Sequence, residues 1–169
     1  MKRFLSVVLT IWLGLLPLAA TSAPEPVTLE AMTHSSAEVT VLRPDGSEAR
    51  YSPADLETLP TYRLRTTTPW REVPAAFDGV LLADLLAANG LDTVDAIEVT
   101  AENEYAVTIP REIWETLDVL VATRVDGQPH SRRARGPIQF VIDMDSYTAS
   151  DAAREDYLVW MVARIEPAN

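Results

Sequence analysis

A chain of 169 residues with 25 acidic against 14 basic side chains has a formal charge of −11, which makes its surface a poor partner for nucleic acid or anionic lipid. The lack of any cysteine excludes disulfides, thiolate metal ligands and a cysteine nucleophile. There are only two histidines, His34 and His130, which argues against an ordinary zinc site.

Residues 1–23 read as a cleavable secretory signal peptide. Lys2 and Arg3 give a basic start. Phe4 to Leu18 is an apolar run broken by Gly14 and Pro17, and Thr21-Ser22-Ala23 supplies the small residues of a cleavage site after Ala23. The run is short for a span of about 20 apolar residues, which weighs against an uncleaved anchor. No cysteine follows it for lipidation and no twin arginine precedes it, so the expected route is export of an unfolded chain into the periplasm, with no direct membrane insertion afterwards. Cleavage leaves 146 residues, the size of one domain, and loss of Lys2 and Arg3 takes the charge to −13. The mature chain has no lysine, which is read as compositional bias and not as chemistry.

Residues 24–36, with prolines and serines, are expected to be a flexible lead-in to a domain spanning 37–169. Ala37 to Leu42 alternates as a strand, Asp45-Gly46 marks a tight turn, and a return strand ends near Tyr51. Ser52-Pro53-Ala54-Asp55 starts a short helix, with Ser as cap and Pro in the first turn; Leu56 and Leu59 form its apolar face and Pro60 ends it. Tyr62 to Thr68 is predicted as a strand and Pro69 to Ala76, with two prolines, as a loop. Val80 to Asn89 has leucines at helical spacing, with Gly90 as its C-terminal cap. Ala96 to Thr100 and Tyr105 to Ile109 are predicted strands, Pro110 to Leu117 a helix, Val119 to Val125 a strand before an Asp126-Gly127 turn, and Ile138 to Ile142 a buried strand. A helical turn is expected within 150–157, then a last strand, Val159 to Ile165, with Trp160, Val162 and Arg164 on one face and Trp160 in the core. Short strands and helices in mixed order indicate a single α+β domain with mixed β-sheets.

Five stretches follow one another as they do in the oxidoreductase molybdopterin-binding domain, the cofactor fold of sulfite oxidase, and the chain resembles that family over about residues 37–166. They are Leu56-Glu57-Thr58-Leu59-Pro60; Phe77-Asp78-Gly79-Val80 leading into Leu81 to Leu86; Glu104-Tyr105 in a strand ending at Pro110; Asp126-Gly127-Gln128-Pro129; and Arg135-Gly136-Pro137-Ile138. The resemblance implies a pterin pocket lined from several loops. It also implies a molybdenum-binding cysteine between the Leu-Pro segment and the Phe-x-Gly-Val helix, where this chain has Thr66-Thr67-Thr68-Pro69-Trp70. A threonine hydroxyl is a poor substitute for a soft thiolate, so molybdenum is not expected. Without the cysteine, the chain is similar to periplasmic pterin-binding proteins that regulate a membrane-bound signalling protein, such as a cyclic di-GMP enzyme or a sensor kinase. That comparison implies a pterin ligand and a non-catalytic role.

A pterin is a flat ring with a polar edge, and it needs a plane for its face and fixed donors and acceptors for that edge. The candidates are Trp70 for the face, Thr66, Thr67, Thr68 and Glu102 for the edge, and Tyr105 at the family's Gly-Tyr position, with Arg124 and Arg135 able to stack on the ring or pair with an anionic tail. Arg124, Arg132, Arg133 and Arg135 form a basic island; Arg124, Arg132 and Arg135 are assigned to a ligand, and Gly136 offers a backbone open to close approach. The bland readings are a solvated strand face for the threonines, a core lid for Trp70, a turn acid for Glu102, and a solvated face or a patch for an acidic partner for the arginines. No catalytic triad, acid–base pair or phosphate loop is evident, and His130 has no nucleophile at a recognisable spacing. Two alternatives to the pterin-binding regulator stay open: a molybdopterin oxidoreductase with an atypical metal ligand, and a ligand-free protein-docking domain.

Overall fold

The computed structural model describes residues 23–168, so the expected signal peptide lies, apart from Ala23, outside the described residues. The chain forms one α+β domain of two sheets. The first, entirely antiparallel, has strand order β1 (Glu25–Pro26), β4 (Thr61–Thr68), β5 (Arg71–Leu81), β8 (Leu120–Val125), β10 (Gln139–Val141), with β9 (Gln128–Pro129) returning on β8. The second has the order β3 (Glu48–Tyr51), β2 (Val39–Leu42), β11 (Val162–Pro167), β6 (Ala96–Ala101), β7 (Ala106–Pro110) and is mixed, since β2 and β11 run parallel. Short helices α1 (Pro53–Leu56), α2 (Leu82–Ala88), α3 (Arg111–Thr116) and α4 (Met144–Ala149) fill the connections.

The pattern of burial follows the pleat. On β8 and β10, Val121 and Phe140 join the main core with Val39, Val41, Ile97, Val99 and Ile165 of the second sheet, while Leu120, Ala122 and Val141 point the other way onto Leu64 and Phe77. Helices α2 and α3 add Leu82, Leu85, Leu86, Ile113 and Trp114 to the main core. α1 is capped as its sequence predicts: Ser52 Oγ accepts from the Asp55 N–H at 3.2 Å, and Asp55 accepts from the Ser52 N–H at 2.9 Å.

Four expectations are corrected. Residues 71–76 are strand, not loop: they continue β5 into a hairpin arm with β4 alone, beyond β8, whose pairing with β5 begins at Phe77. Pro74 is tolerated there because that side of the arm has no strand to receive an N–H. Helix α2 begins at Leu82, because Val80 and Leu81 are claimed by the ladder to Val121 and Leu120. Helix α4 was not predicted; it is six residues long, buries none of them, and is signalled only by Asp143, which accepts from the Ser146 N–H. The last strand starts at Val162, since Met161 has φ +56° and a bulge follows between Val162 and Arg164, so Trp160 leaves the core and is 40% exposed.

The lead-in is also tied down. β1 pairs with β4, Val27 and Thr61 exchange hydrogen bonds, and the Arg124 guanidinium donates to the Glu30 carbonyl at 2.7 Å. Arg124 simultaneously forks onto Glu57 at 2.9 and 2.6 Å, and Glu57 also accepts from Thr123 at 2.6 Å and lies 3.1 Å from His34 Nε2. Burial pushes the Glu57 carboxyl up, but the Arg124 and Thr123 hydrogen bonds and nearby His34 outweigh it and hold the group below the ordinary glutamate range. Gly79 packs against β8 so closely that a Cβ would lie 2.1 Å from the Val121 carbonyl oxygen.

Removing one partner strands a buried charge, so Glu57→Gln is expected to cost about 3–5 kcal/mol in urea unfolding followed by circular dichroism. Arg132→Ala, at an exposed ion pair, is expected to cost under about 1 kcal/mol in the same measurement. Gly79→Ala, which forces backbone apart, is expected to lower the unfolding midpoint well beyond the Arg132 variant.

Candidate ligand-binding site

At one end of the first sheet the β4–β5 turn, the end of β8 and the loop from β9 to β10 enclose a cavity of about 210 Å³. Its wall includes Thr68, Trp70, Arg71, Phe77, His130 and Arg135, with Gln139 at the start of β10. Trp70 is held at the tip of the β4–β5 arm, where Thr68 pairs with Arg71.

The loop that supplies His130 and Arg135 is set by close packing. Its 3-10 turn, Arg132–Ala134, ends at Arg135 with φ +77°, and the Gly136 N–H returns to the Ser131 carbonyl at 2.8 Å. A Cβ on Gly136 would meet the His130 carbonyl oxygen at 2.4 Å and its imidazole Cγ at 2.7 Å. Gly136 is therefore required by the loop's own packing onto His130 and is not an open approach for a ligand.

Two polar atoms of this wall are buried without a hydrogen-bond partner among the described residues: His130 Nδ1 and Arg135 Nε. His130 Nε2 lies 2.8 Å from Gln139 Oε1; with that oxygen as the acceptor, Nε2 carries the ring proton and Nδ1 is a bare acceptor. Burial holds the His130 pKa below the ordinary histidine range, with the Gln139 hydrogen bond opposing it, so the ring is neutral near pH 7. Arg135 Nε is a bare donor. The Arg135 guanidinium carbon sits 4.7 Å from the Trp70 ring centre and 5.0 Å from that of Trp160, and the two indoles are 6.1 Å apart at 42°.

The sequence-predicted candidates divide. Thr68, Trp70 and Arg135 meet in this cavity. Thr66 and Thr67 do not: the register shift between Thr66 and Thr68 turns them to a separate depression beside α4, where Thr66 Oγ1 accepts from the Met144 N–H at 2.9 Å. Arg124 is taken up by Glu57 and Glu30, so its role here is structural. Glu102 and Arg132 pair with each other outside the cavity wall, and Tyr105 lines the neighbouring surface with Trp160. Sequence reasoning missed His130, Gln139 and Trp160. His130 carried a usable signal as one of two histidines inside the basic island, whereas nothing local marks the left-handed Met161 that expels Trp160.

The lining offers an imidazole, a carboxamide, a hydroxyl and two guanidiniums, a set that suits the edge of a polar ring. It does not fit molybdenum held by soft thiolate, since the chain has no cysteine.

Because the buried His130 resists protonation while an unfolded histidine takes a proton near 6.5, the unfolded state binds more protons below that value. Stability is expected to fall as pH drops through about 6.5, and His130→Gln to flatten that segment of a plot of urea midpoint against pH. The separate loss due to Glu57, whose pKa is lowered, begins only as pH falls below the ordinary glutamate range and persists in that variant.

No family model matches the chain, and no curated protein matches it. Among solved structures it is similar to the crystal structure of the sulfane dehydrogenase SoxCD from Paracoccus pantotrophus, with a TM-score of 0.58 and 14% identity over 81% of this chain. The match covers 39% of that protein, so the chain spans well under half its length. At this identity the likeness is one of fold alone: the α+β architecture of this chain is shared with part of that protein.

Proposed function

We propose that the chain is a pterin-binding protein of the periplasm, non-catalytic, that passes the state of its ligand to a membrane-bound signalling protein. The observation that carries this reading is the tryptophan-walled cavity with a bare acceptor at His130 Nδ1 and a bare donor at Arg135 Nε. A buried polar atom without a partner costs about 1–3 kcal/mol, and a ligand that supplies the missing partner recovers it. The lactam edge of a pterin sets an N–H donor beside a carbonyl acceptor, the complement of that pair. Trp70 offers a face for the ring, and Thr68 and Gln139 add hydrogen-bonding capacity at the wall.

Two further features support the regulatory part. Among the described residues the wall carries no carboxylate, and its imidazole is held neutral with Nε2 already engaged, which suits recognition better than proton transfer. Arg135 joins the cavity to the exposed Trp160, so a ligand that engages Arg135 alters its contact with a surface residue. The signal-peptide features of residues 1–23 support the location.

Titration of the purified protein with reduced and oxidised pterins is expected to quench tryptophan fluorescence saturably. Trp70→Ala and His130→Ala are each expected to weaken binding roughly tenfold or more. Arg50→Gln, an exposed change on β3 of the second sheet, is expected to leave affinity unchanged. Saturable quenching that Trp70→Ala and His130→Ala leave intact would remove this cavity as the site, and no response to any pterin would remove the ligand class.

A further inference from the structure

Outside the cavity, Trp160 and Tyr105 stand 40% and 43% exposed. Together they line two adjoining depressions. One, of about 180 Å³, is completed by Ala101 at the end of β6 and Asn103 of the β6–β7 connection; the other, of about 220 Å³, by Trp70, Leu158, Glu155 and Asp156. Arg135 lines neither, so the Trp160 ring holds the chain's own guanidinium on the cavity side and presents the rest of its surface to these depressions.

We propose that this Trp160–Tyr105 face is a docking surface for an arginine-bearing segment of a partner polypeptide. Three observations converge. The aromatic pair is large, exposed and backed by a firmly packed strand entry, where the Phe140 N–H donates to the Val159 carbonyl at 2.7 Å and the Val162 N–H to that of Ile138 at 3.0 Å. Carboxylates lie beside it: Glu155 and Asp156 line the larger depression and Glu102 and Glu104 belong to the adjoining connection, four acids against the guanidiniums of Arg132 and Arg154, which pair with Glu102 and Asp156, and of Arg135, which stacks on Trp160. The balance is negative within a chain that is acidic as a whole, so the field favours a cation. The same Trp160 ring already accepts a guanidinium from within the protein, which shows that its geometry suits that group.

A planar guanidinium serves better than an ammonium here, because it stacks on an indole while its N–H groups reach a carboxylate at the rim. The inference rests on this surface alone and does not depend on which ligand the cavity takes.

The test is a titration of the purified protein, without any pterin, with a short glycine–serine peptide carrying several arginines, against the same peptide with citrulline at those positions. The arginine peptide is expected to shift tryptophan fluorescence saturably, with affinity falling as salt rises, and the citrulline peptide to do neither. Glu155→Gln, an exposed change that preserves shape, is expected to weaken binding roughly threefold, and Trp160→Ala roughly tenfold, with the circular dichroism spectrum unchanged. Equal binding of the citrulline peptide overturns the proposal, as does undiminished binding by both variants or a response of this face to a neutral oligosaccharide in place of the arginine peptide. A null result in pterin binding leaves these outcomes unaffected, so the two readings fail separately.

Discussion

Two opposite charges beneath the N-terminal arm, a buried Arg124 and a half-buried Glu57, organise much of what surrounds them. Arg124 lies on β8, which pairs with β5 and β10 and carries β9 as its return, and its guanidinium is spent on Glu57 at the end of α1 and on the Glu30 carbonyl of the N-terminal arm. Neither charge has water to fall back on, so the geometry is tolerable only because every member is bonded: Thr123 and His34 complete the Glu57 carboxylate. One cluster thereby fixes the position of α1 against the first sheet and holds residues 24–36 along it. The side chain that sequence reasoning gave to a ligand is instead the fastening of the fold.

The cavity depends on a different constraint, the contact of Gly136 with His130. With no Cβ at that point the loop closes onto the imidazole, which is thereby pressed toward Gln139, and Arg135 is delivered in a left-handed conformation between the two indoles. The wall is incomplete in its hydrogen bonding. The loop satisfies one nitrogen of His130 and leaves the other bare, and it holds Arg135 by its ring contacts and not by its Nε. Most buried polar atoms find partners in a folded protein, and two exceptions in the wall of one cavity are more informative than its size.

Cavity and surface are contiguous through the aromatic residues. Trp70 borders both the interior cavity and the acidic depression, and Arg135 touches Trp70 and Trp160 alike. Under the proposed function, a ligand acting on the guanidinium would reach an exposed ring with no need for the sheets to shift. For a domain of this size, built from short elements, such a local route is easier to maintain than a rearrangement of the core.

Much of the fold was legible in the sequence because its signals are local. Alternation in Val39–Leu42 and Ala96–Ala101, the Ser52 cap and the Asp126-Gly127 turn each report a conformation decided by neighbouring residues. The site was legible only in part, as Thr68, Trp70 and Arg135, because a cavity is defined by segments that lie far apart in the chain. Whether Arg124 faced a ligand or Glu57, whether Gly136 welcomed a ligand or filled a gap against His130, and whether Trp160 was core or surface turned on pairings across tens of residues and on one left-handed backbone at Met161. The sequence by itself determined most of the elements, the acidic character and the absence of a thiolate. Only the tertiary structure decided which polar groups were satisfied by the protein and which were left for something else, since hydrogen-bond satisfaction belongs to the folded arrangement and not to any one residue.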